Sequence, residues 1–291
     1  MQEAKTDIVN LTDLADVHSH ITPLFAAGES RPLSAQQTAS FERDGFLIGV
    51  PILDGGQVDA LREELEMLMR PKQASNPLFY EYNSNESADP SKRLFHALGA
   101  WRVGPAFHDV VFFRPLVSIA EQLLGDPVRF WHDQVFVKPA RDGAVVAWHQ
   151  DYSYWTRTVP CAHLTAWIGL DDADEENGCV RYVPGSHRWP LLPREALVGD
   201  MDTVLRFLTS EQRECFSAVP SVLKTGEASF HHPMTLHGSF ENKSDRPRRG
   251  VVVNFMHHGV VSDSDERLLA GVPPIAKGDK IDGKFFPLLS R

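Results

Sequence analysis

The chain has 291 residues, of which 42% are hydrophobic and 23% charged, with 13 histidines and only three cysteines. That length buries a core without covalent staples, and no apolar run approaches the ~20 residues that cross a bilayer. The net charge of −10 argues against nucleic acid or an anionic membrane as partner. Cys161, Cys179 and Cys215 form no Cys-x-x-Cys pair and cannot all be bridged. With no apolar h-region near the start, a cytoplasmic protein is expected.

Residues 1–32 read as an arm without clear periodicity. A helix begins near Leu33 with Ser34 as N-cap and runs into Arg43-Asp44-Gly45. Phe46 to Val50 then reads as a short buried strand. Gln57 to Met69 places Val58, Leu61, Leu65 and Leu68 at helical spacing, so an amphipathic helix is expected. Residues 71–95, rich in Asn, Ser and Pro, read as a lid or binding loop. A further helix from Pro115 to Leu124 stops at Gly125.

Beyond this mostly helical flank (33–126) the pattern changes. Arg129–Val137, Val145–Trp148, His163–Leu170, Cys179–Val183, Ser221–Lys224, Ala228–His231 and Gly250–Met256 are strand candidates separated by Gly, Pro and Asp/Asn turns. Helices followed by many short strands predict one α+β, mainly β domain around an antiparallel sandwich or barrel.

The chemistry concentrates at the end of one strand candidate, Trp148-His149-Gln150-Asp151. Residues i and i+2 of a strand share a face, which puts an imidazole beside a carboxylate. Alone, His-x-Asp is a weak signal. Downstream stand His237-Gly238-Ser239 and, eleven positions after His237, Arg248. Two histidines and one carboxylate leave coordination positions open, as in non-haem Fe(II) oxygenases. A nearby arginine can grip a carboxylate in bidentate fashion.

These residues resemble the phytanoyl-CoA dioxygenase (PhyH-like) family of Fe(II)/2-oxoglutarate-dependent oxygenases. The markers are His149-Gln150-Asp151, Thr165 to Asp171, Asn177-Gly178-Cys179, Val183 to His187, and His237 with Ser239, Asn242 and Arg248. The resemblance covers roughly Pro127 to Met256 plus the opening Phe41 to Leu47. It implies a double-stranded β-helix (jelly-roll) core over 127–257, flanked by the N-terminal helices, with 258–291 as a C-terminal extension. It also implies that His149, Asp151 and His237 ligate Fe(II), and that Arg248 and Ser239 hold the distal carboxylate of 2-oxoglutarate. Trp167 and Gln134 match positions lining the cosubstrate pocket, and Lys138 matches a family lysine. The implied reaction couples O2 and 2-oxoglutarate, released as succinate and CO2, to hydroxylation of an aliphatic C–H in a small molecule. The same oxidant could serve desaturation, epimerisation or cyclisation. Asp151 stands where related halogenases carry a small residue, which argues for oxidation without halide. A Zn-dependent hydrolase and a silent jelly-roll binding module are the rivals; the first gives Arg248 no necessary role, and the second should have lost a ligand.

The other histidines have blander readings. His18 and His20 imitate a metal-binding pair, but no βα repeat follows. His187 reads as structural, and His257-His258 as polar rim. His231 and His232 alternate faces, so at most one faces the pocket, and a packing role is favoured for both. His132 and Asp133 cannot share a face, whereas Gln134 shares one with His132. Trp131, Tyr152, Tyr154 and Trp155 are candidate substrate walls as well as packing residues. Arg249 is expected to face away from whatever Arg248 binds, and Arg246 to sit in a turn. The acids Asp171, Asp172, Asp174, Glu175 and Glu176 are expected to form a solvated loop. Segments 71–95 and 186–210 are expected to frame the substrate.

Overall fold

The computed structural model describes residues 22–26, 28–87 and 89–290, so the His18/His20 pair lies outside the described residues. A short helix α1 (Pro23–Ala26) precedes α2 (Ala35–Asp44). Ser34 and Gln37 close a reciprocal capping box at the start of α2, satisfying amides that the first turn leaves without partners. Gly45 ends it in the left-handed region at φ 84°, which costs glycine no Cβ clash, and the chain passes directly into β1 (Phe46–Pro51). Asp54 and Gln57 form the same box for α3 (Gly55–Leu68), whose stripe Val58, Leu61, Leu65 and Leu68 is buried.

Segment 71–95 is not one loop. It holds a 3-10 turn (Pro71–Ser75) and the strand β2 (Glu81–Asn83), which pairs with β3 (Phe95–Leu98). Its Asn- and Ser-rich composition conceals strand pairing because β2 is short and lies at the sheet edge. Helices α4 (Pro105–Val111) and α5 (Arg114–Leu124) follow. The first of these has no counterpart in the sequence reading. Its opening amides, Ala106 and Phe107, donate to the Glu64 carboxylate of α3, a distant cap that sequence does not reveal.

The remaining strands are β4 (Val128–Lys138), β5 (Val146–His149), β6 (Thr158–Val159), β7 (His163–Gly169) and β8 (Val180–Tyr182). After α6 (Ser210–Glu214) come β9 (Val219–Pro220), β10 (Glu227–His231), β11 (His237–Ser239), β12 (Arg248–His257) and β13 (Val261–Ser262). The strand expected at Ser221–Lys224 is displaced: β9 ends at Pro220, and Leu223 makes only a single bridge to Ala173. A seven-stranded sheet runs β1-β10-β7-β12-β4-β3-β2, a four-stranded sheet β5-β11-β8-β9, and β13 pairs with β6. The pairings within these sheets are antiparallel.

Alternation divides the large sheet. Val135 and Val137 of β4, Val251, Val253 and Phe255 of β12, and Ala166 and Ile168 of β7 join the helices in the main core. The alternate residues, including Gln134, Phe136, Trp167, Arg248 and Val252, line a cavity of about 720 Å³. The pairing of β4 with β12 slips between Asn254 and Phe255, so Trp131 has no partner across the ladder. This bulge lets neighbouring Trp131 and His132 both reach the cavity wall, which strict alternation forbids.

Candidate metal centre

His149 ends β5 and stands opposite His237 of β11, so backbone pairing alone sets the two imidazoles side by side. Their ring centroids are 4.2 Å apart. Asp151 does not continue the strand; it opens a 3-10 turn, Asp151–Tyr154, that carries its carboxylate toward the same place. Ligand atoms of the three residues all lie within 4.8 Å of one another. Asp151 Oδ1 is 3.5 Å from His149 Nε2 and 3.7 Å from His237 Nε2, too far for good hydrogen bonds.

The surroundings suit a divalent cation. His149 Nδ1 donates to the Ala147 carbonyl at 2.8 Å and His237 Nδ1 to the Thr235 carbonyl at 2.9 Å. Each bond fixes the tautomer that leaves the Nε2 lone pair free for the metal. Burial, then the neighbouring imidazoles of His149 and His231, hold the His237 pKa well below the usual range, so the ring is neutral as a ligand must be. Burial pushes the Asp151 carboxyl up, but the surrounding imidazoles of His237, His149 and His231 outweigh it. The Asp151 pKa lies well below the usual carboxylate range. The second oxygen, Oδ2, accepts from Thr165 Oγ1 at 2.7 Å and His231 Nε2 at 3.0 Å. Only Oδ1 is left for a metal.

Further along the same cavity lies Arg248, 1% exposed. Its Nε has no hydrogen-bond acceptor, and no described carboxylate pairs with it. The guanidinium lies over the Trp167 ring at 5.1 Å. Burial lowers its pKa to about 10, so it stays cationic at neutral pH. Trp167 in turn lies against Gly250, where a Cβ would come within 2.3 Å of its ring. Lys138 faces Arg248 across the β4–β12 ladder. Its ammonium donates to Ser239 Oγ at 2.7 Å and to the carbonyls of Ser239 and Phe240. With its oxygen engaged this way, the Ser239 hydroxyl is free to donate its own proton into the cavity. Burial, then the Arg248 charge, hold the Lys138 pKa well below the usual lysine range.

The phytanoyl-CoA dioxygenase (PhyH) family model matches residues 41–250. The chain belongs to this family. It is 24% identical over 236 residues to the peroxisomal phytanoyl-CoA dioxygenase of Bos taurus, covering 78% of this chain and 69% of that one. It is 29% identical over 240 residues to the ectoine dioxygenase of Bordetella bronchiseptica, covering 75% and 74%. Among solved structures, the epimerase SnoN in complex with Fe3+, alpha ketoglutarate and nogalamycin RO matches with a TM-score of 0.71 at 24% identity. That match covers 87% of this chain and 97% of SnoN.

Within this PhyH chain the remaining expected site residues are placed unevenly. Gln134, Tyr154, Trp155 and Trp131 line the cavity, though Trp131 also stacks on Phe286 and Trp155 packs in the main core. Tyr152 does not line it; its hydroxyl donates to the Thr158 carbonyl and its ring packs at the core edge. His231 corrects the sequence reading: it faces the centre and bonds Asp151. Its neighbour His232 is instead tied to the backbone of Met234. Period-two alternation left one of the two free to face inward but could not say which. The acids of 171–176 are not simply solvated either. Asp171 makes paired bonds to Arg249 and another to Arg62, Asp172 pairs with Lys224, Asp174 with Arg246, and Glu175 with Arg181. Residues 194–198, Glu81 and Glu86 line the cavity, as do Leu268, Leu269 and Ala270 of the C-terminal extension, to which the sequence assigned no role. Thr165 and His96 were missed as well, because neither stands in a metal-ligand motif.

Proposed function

We propose that this PhyH member is a non-haem Fe(II)/2-oxoglutarate-dependent dioxygenase that hydroxylates an aliphatic C–H of a small-molecule metabolite. His149, Asp151 and His237 would hold Fe(II); with it bound, 2-oxoglutarate and O2 supply an oxidant strong enough to attack an unactivated C–H. The observation that carries the reading is Arg248, a buried cation without an acid partner among the described residues, in the same cavity as the triad. A buried unpaired charge is expensive, and a dicarboxylate cosubstrate relieves that cost. A Zn-dependent hydrolase would use the triad but give Arg248 nothing to do.

The protein's part is to orient and exclude. Arg248 grips the distal carboxylate, Ser239 donates to it, and Trp167 walls the site. Aromatic and aliphatic walls at Trp131, Trp155, Leu268 and Leu269 keep water from the reacting carbon. On this reading the two facing sheets are the jelly roll, and the chain acts as one oxygenase unit. A second outcome, epimerisation by the same oxidant, is supported by the likeness to the epimerase SnoN.

The test is anaerobic addition of Fe(II) and 2-oxoglutarate to metal-free protein. A weak visible charge-transfer band is expected, lost in Asp151→Ala and Arg248→Ala. Wild type with no band and no calorimetric 2-oxoglutarate binding would overturn the proposal. Screening metabolites for stimulated succinate release, with product analysis, then separates hydroxylation from the other outcomes.

A further inference from the structure

Behind Gln134, in the cavity wall, lies a part-buried pair, Glu86 and His96, that takes no part in the function proposed above. His96, on β3, is 4% exposed and stacks on Phe136 of β4, with centroids 4.3 Å apart and planes 9° from parallel. Its Nδ1 is bonded to Glu86 Oε2, and its Nε2 lies 3.0 Å from Gln134 Oε1. Glu86, His96 and Gln134 all line the cavity that holds the triad and Arg248. The segment bearing Glu86 is itself fixed: Glu86 N donates to the Leu94 carbonyl, and Asn85 Oδ1 accepts from Leu94 N and Ser87 N.

We propose that Glu86 and His96 are positioning residues that set which end of the Gln134 amide faces the cavity. A primary amide has an acceptor end and a donor end, and rotation about its last bond exchanges them. His96 Nε2 faces Gln134 Oε1, an acceptor, while Nδ1 faces a carboxylate, also an acceptor. In this arrangement both ring nitrogens act as donors, Nδ1 toward the Glu86 carboxylate and Nε2 toward the Gln134 oxygen. The Gln134 oxygen is then held at His96, and its NH2 is presented to the cavity. A donor there attracts the carboxylates of 2-oxoglutarate; an exposed amide oxygen would repel them. When Nδ1 no longer faces a carboxylate, Nε2 can serve as the acceptor instead, and Gln134 turns over.

This inference rests on the 2-oxoglutarate reading, so the experiment separates the two. Glu86→Gln keeps size and an acceptor but removes the charge. Binding of 2-oxoglutarate to the Mn(II)-loaded protein, measured by anaerobic calorimetry, should weaken about ten-fold in Glu86→Gln and similarly in Gln134→Leu. The double variant should be no worse than Gln134→Leu alone, because both act through one amide. In nitrogen-15 spectra of the histidine rings near neutral pH, His96 should show two protonated nitrogens in wild type and one in Glu86→Gln. Additive losses, unchanged binding in Glu86→Gln, or a singly protonated His96 in wild type would each overturn the assignment. Wild type that binds no 2-oxoglutarate removes the cosubstrate reading, and this role with it. Wild type that binds while Glu86→Gln binds equally well removes this role only.

Discussion

His231 and Asp151, eighty positions apart in the chain, meet at 3.0 Å through Nε2 and Oδ2. The imidazole is held from behind, where Nδ1 lies 3.1 Å from the Tyr182 hydroxyl, itself 2.8 Å from Ser229 Oγ. Thr165 Oγ1 approaches the same carboxylate oxygen at 2.7 Å. These two donors saturate Oδ2 and leave Oδ1 toward His149 and His237. His231→Leu should therefore let the carboxylate turn and weaken Fe(II) or Mn(II) binding by roughly 10–100-fold. Thr165→Val should act in the same direction by less. Metal titration of the apoprotein followed by calorimetry checks this, and equal affinities across the three proteins would refute it.

Arg248→Lys keeps the charge but replaces a planar fork with a point donor. The loss of two parallel hydrogen bonds should raise the 2-oxoglutarate dissociation constant about ten-fold or more, with metal affinity unchanged. Arg248→Ala should be worse still. Calorimetry with each ligand separately distinguishes this from general unfolding.

Gly250→Ala places a methyl group 2.3 Å from the Trp167 ring. The ring must move off the strand, and with it goes the face on which Arg248 lies. A stability loss of about 1–3 kcal/mol is expected from the overpacking. Binding of 2-oxoglutarate should weaken as well, although residue 250 offers no polar group. Urea denaturation and calorimetry on the same variant measure both effects; an unchanged cosubstrate affinity would mean that Trp167 does not shape the site.

Glu64 should make stability depend on pH. Its pKa is raised from 4.5 to about 7, chiefly by burial, while the amides of Ala106 and Phe107 oppose the rise. A carboxyl with a raised folded pKa binds its proton more tightly in the folded state. Its contribution is therefore full below about pH 4.5 and is lost as pH rises through about 7. Glu64→Gln, which cannot ionise, should gain on wild type between pH 5 and 8 by on the order of 2–3 kcal/mol, at about 1.4 kcal/mol per pH unit. Parallel denaturation curves at pH 5 and 8 test the sign.

Much of the scaffold was legible because it is written in local patterns. The N-cap at Ser34 and the stripe Val58 to Leu68 depend on neighbours within a turn or two. Strand β2 and helix α4 were not legible. The first is stabilised by β3, and the second begins against Glu64 of another helix. In both cases the deciding partner lies outside the local window.

The candidate site divides along the same line. His149, Asp151, His237 and Arg248 could be named from spacing and residue type, because metal ligation and carboxylate binding restrict the chemistry to a few side chains. Which of His231 and His232 turns inward, that Tyr152 turns away, and that Trp131 and His132 reach one cavity despite adjacency were settled by register and by a bulge. The same holds for the pairing of Glu86, His96 and Gln134, which three separate segments bring together. The sequence by itself determined the kind of chemistry through the residue types it supplies. Only the tertiary structure decided which groups orient those residues, because hydrogen-bond partners far apart in the chain are selected by strand register and packing.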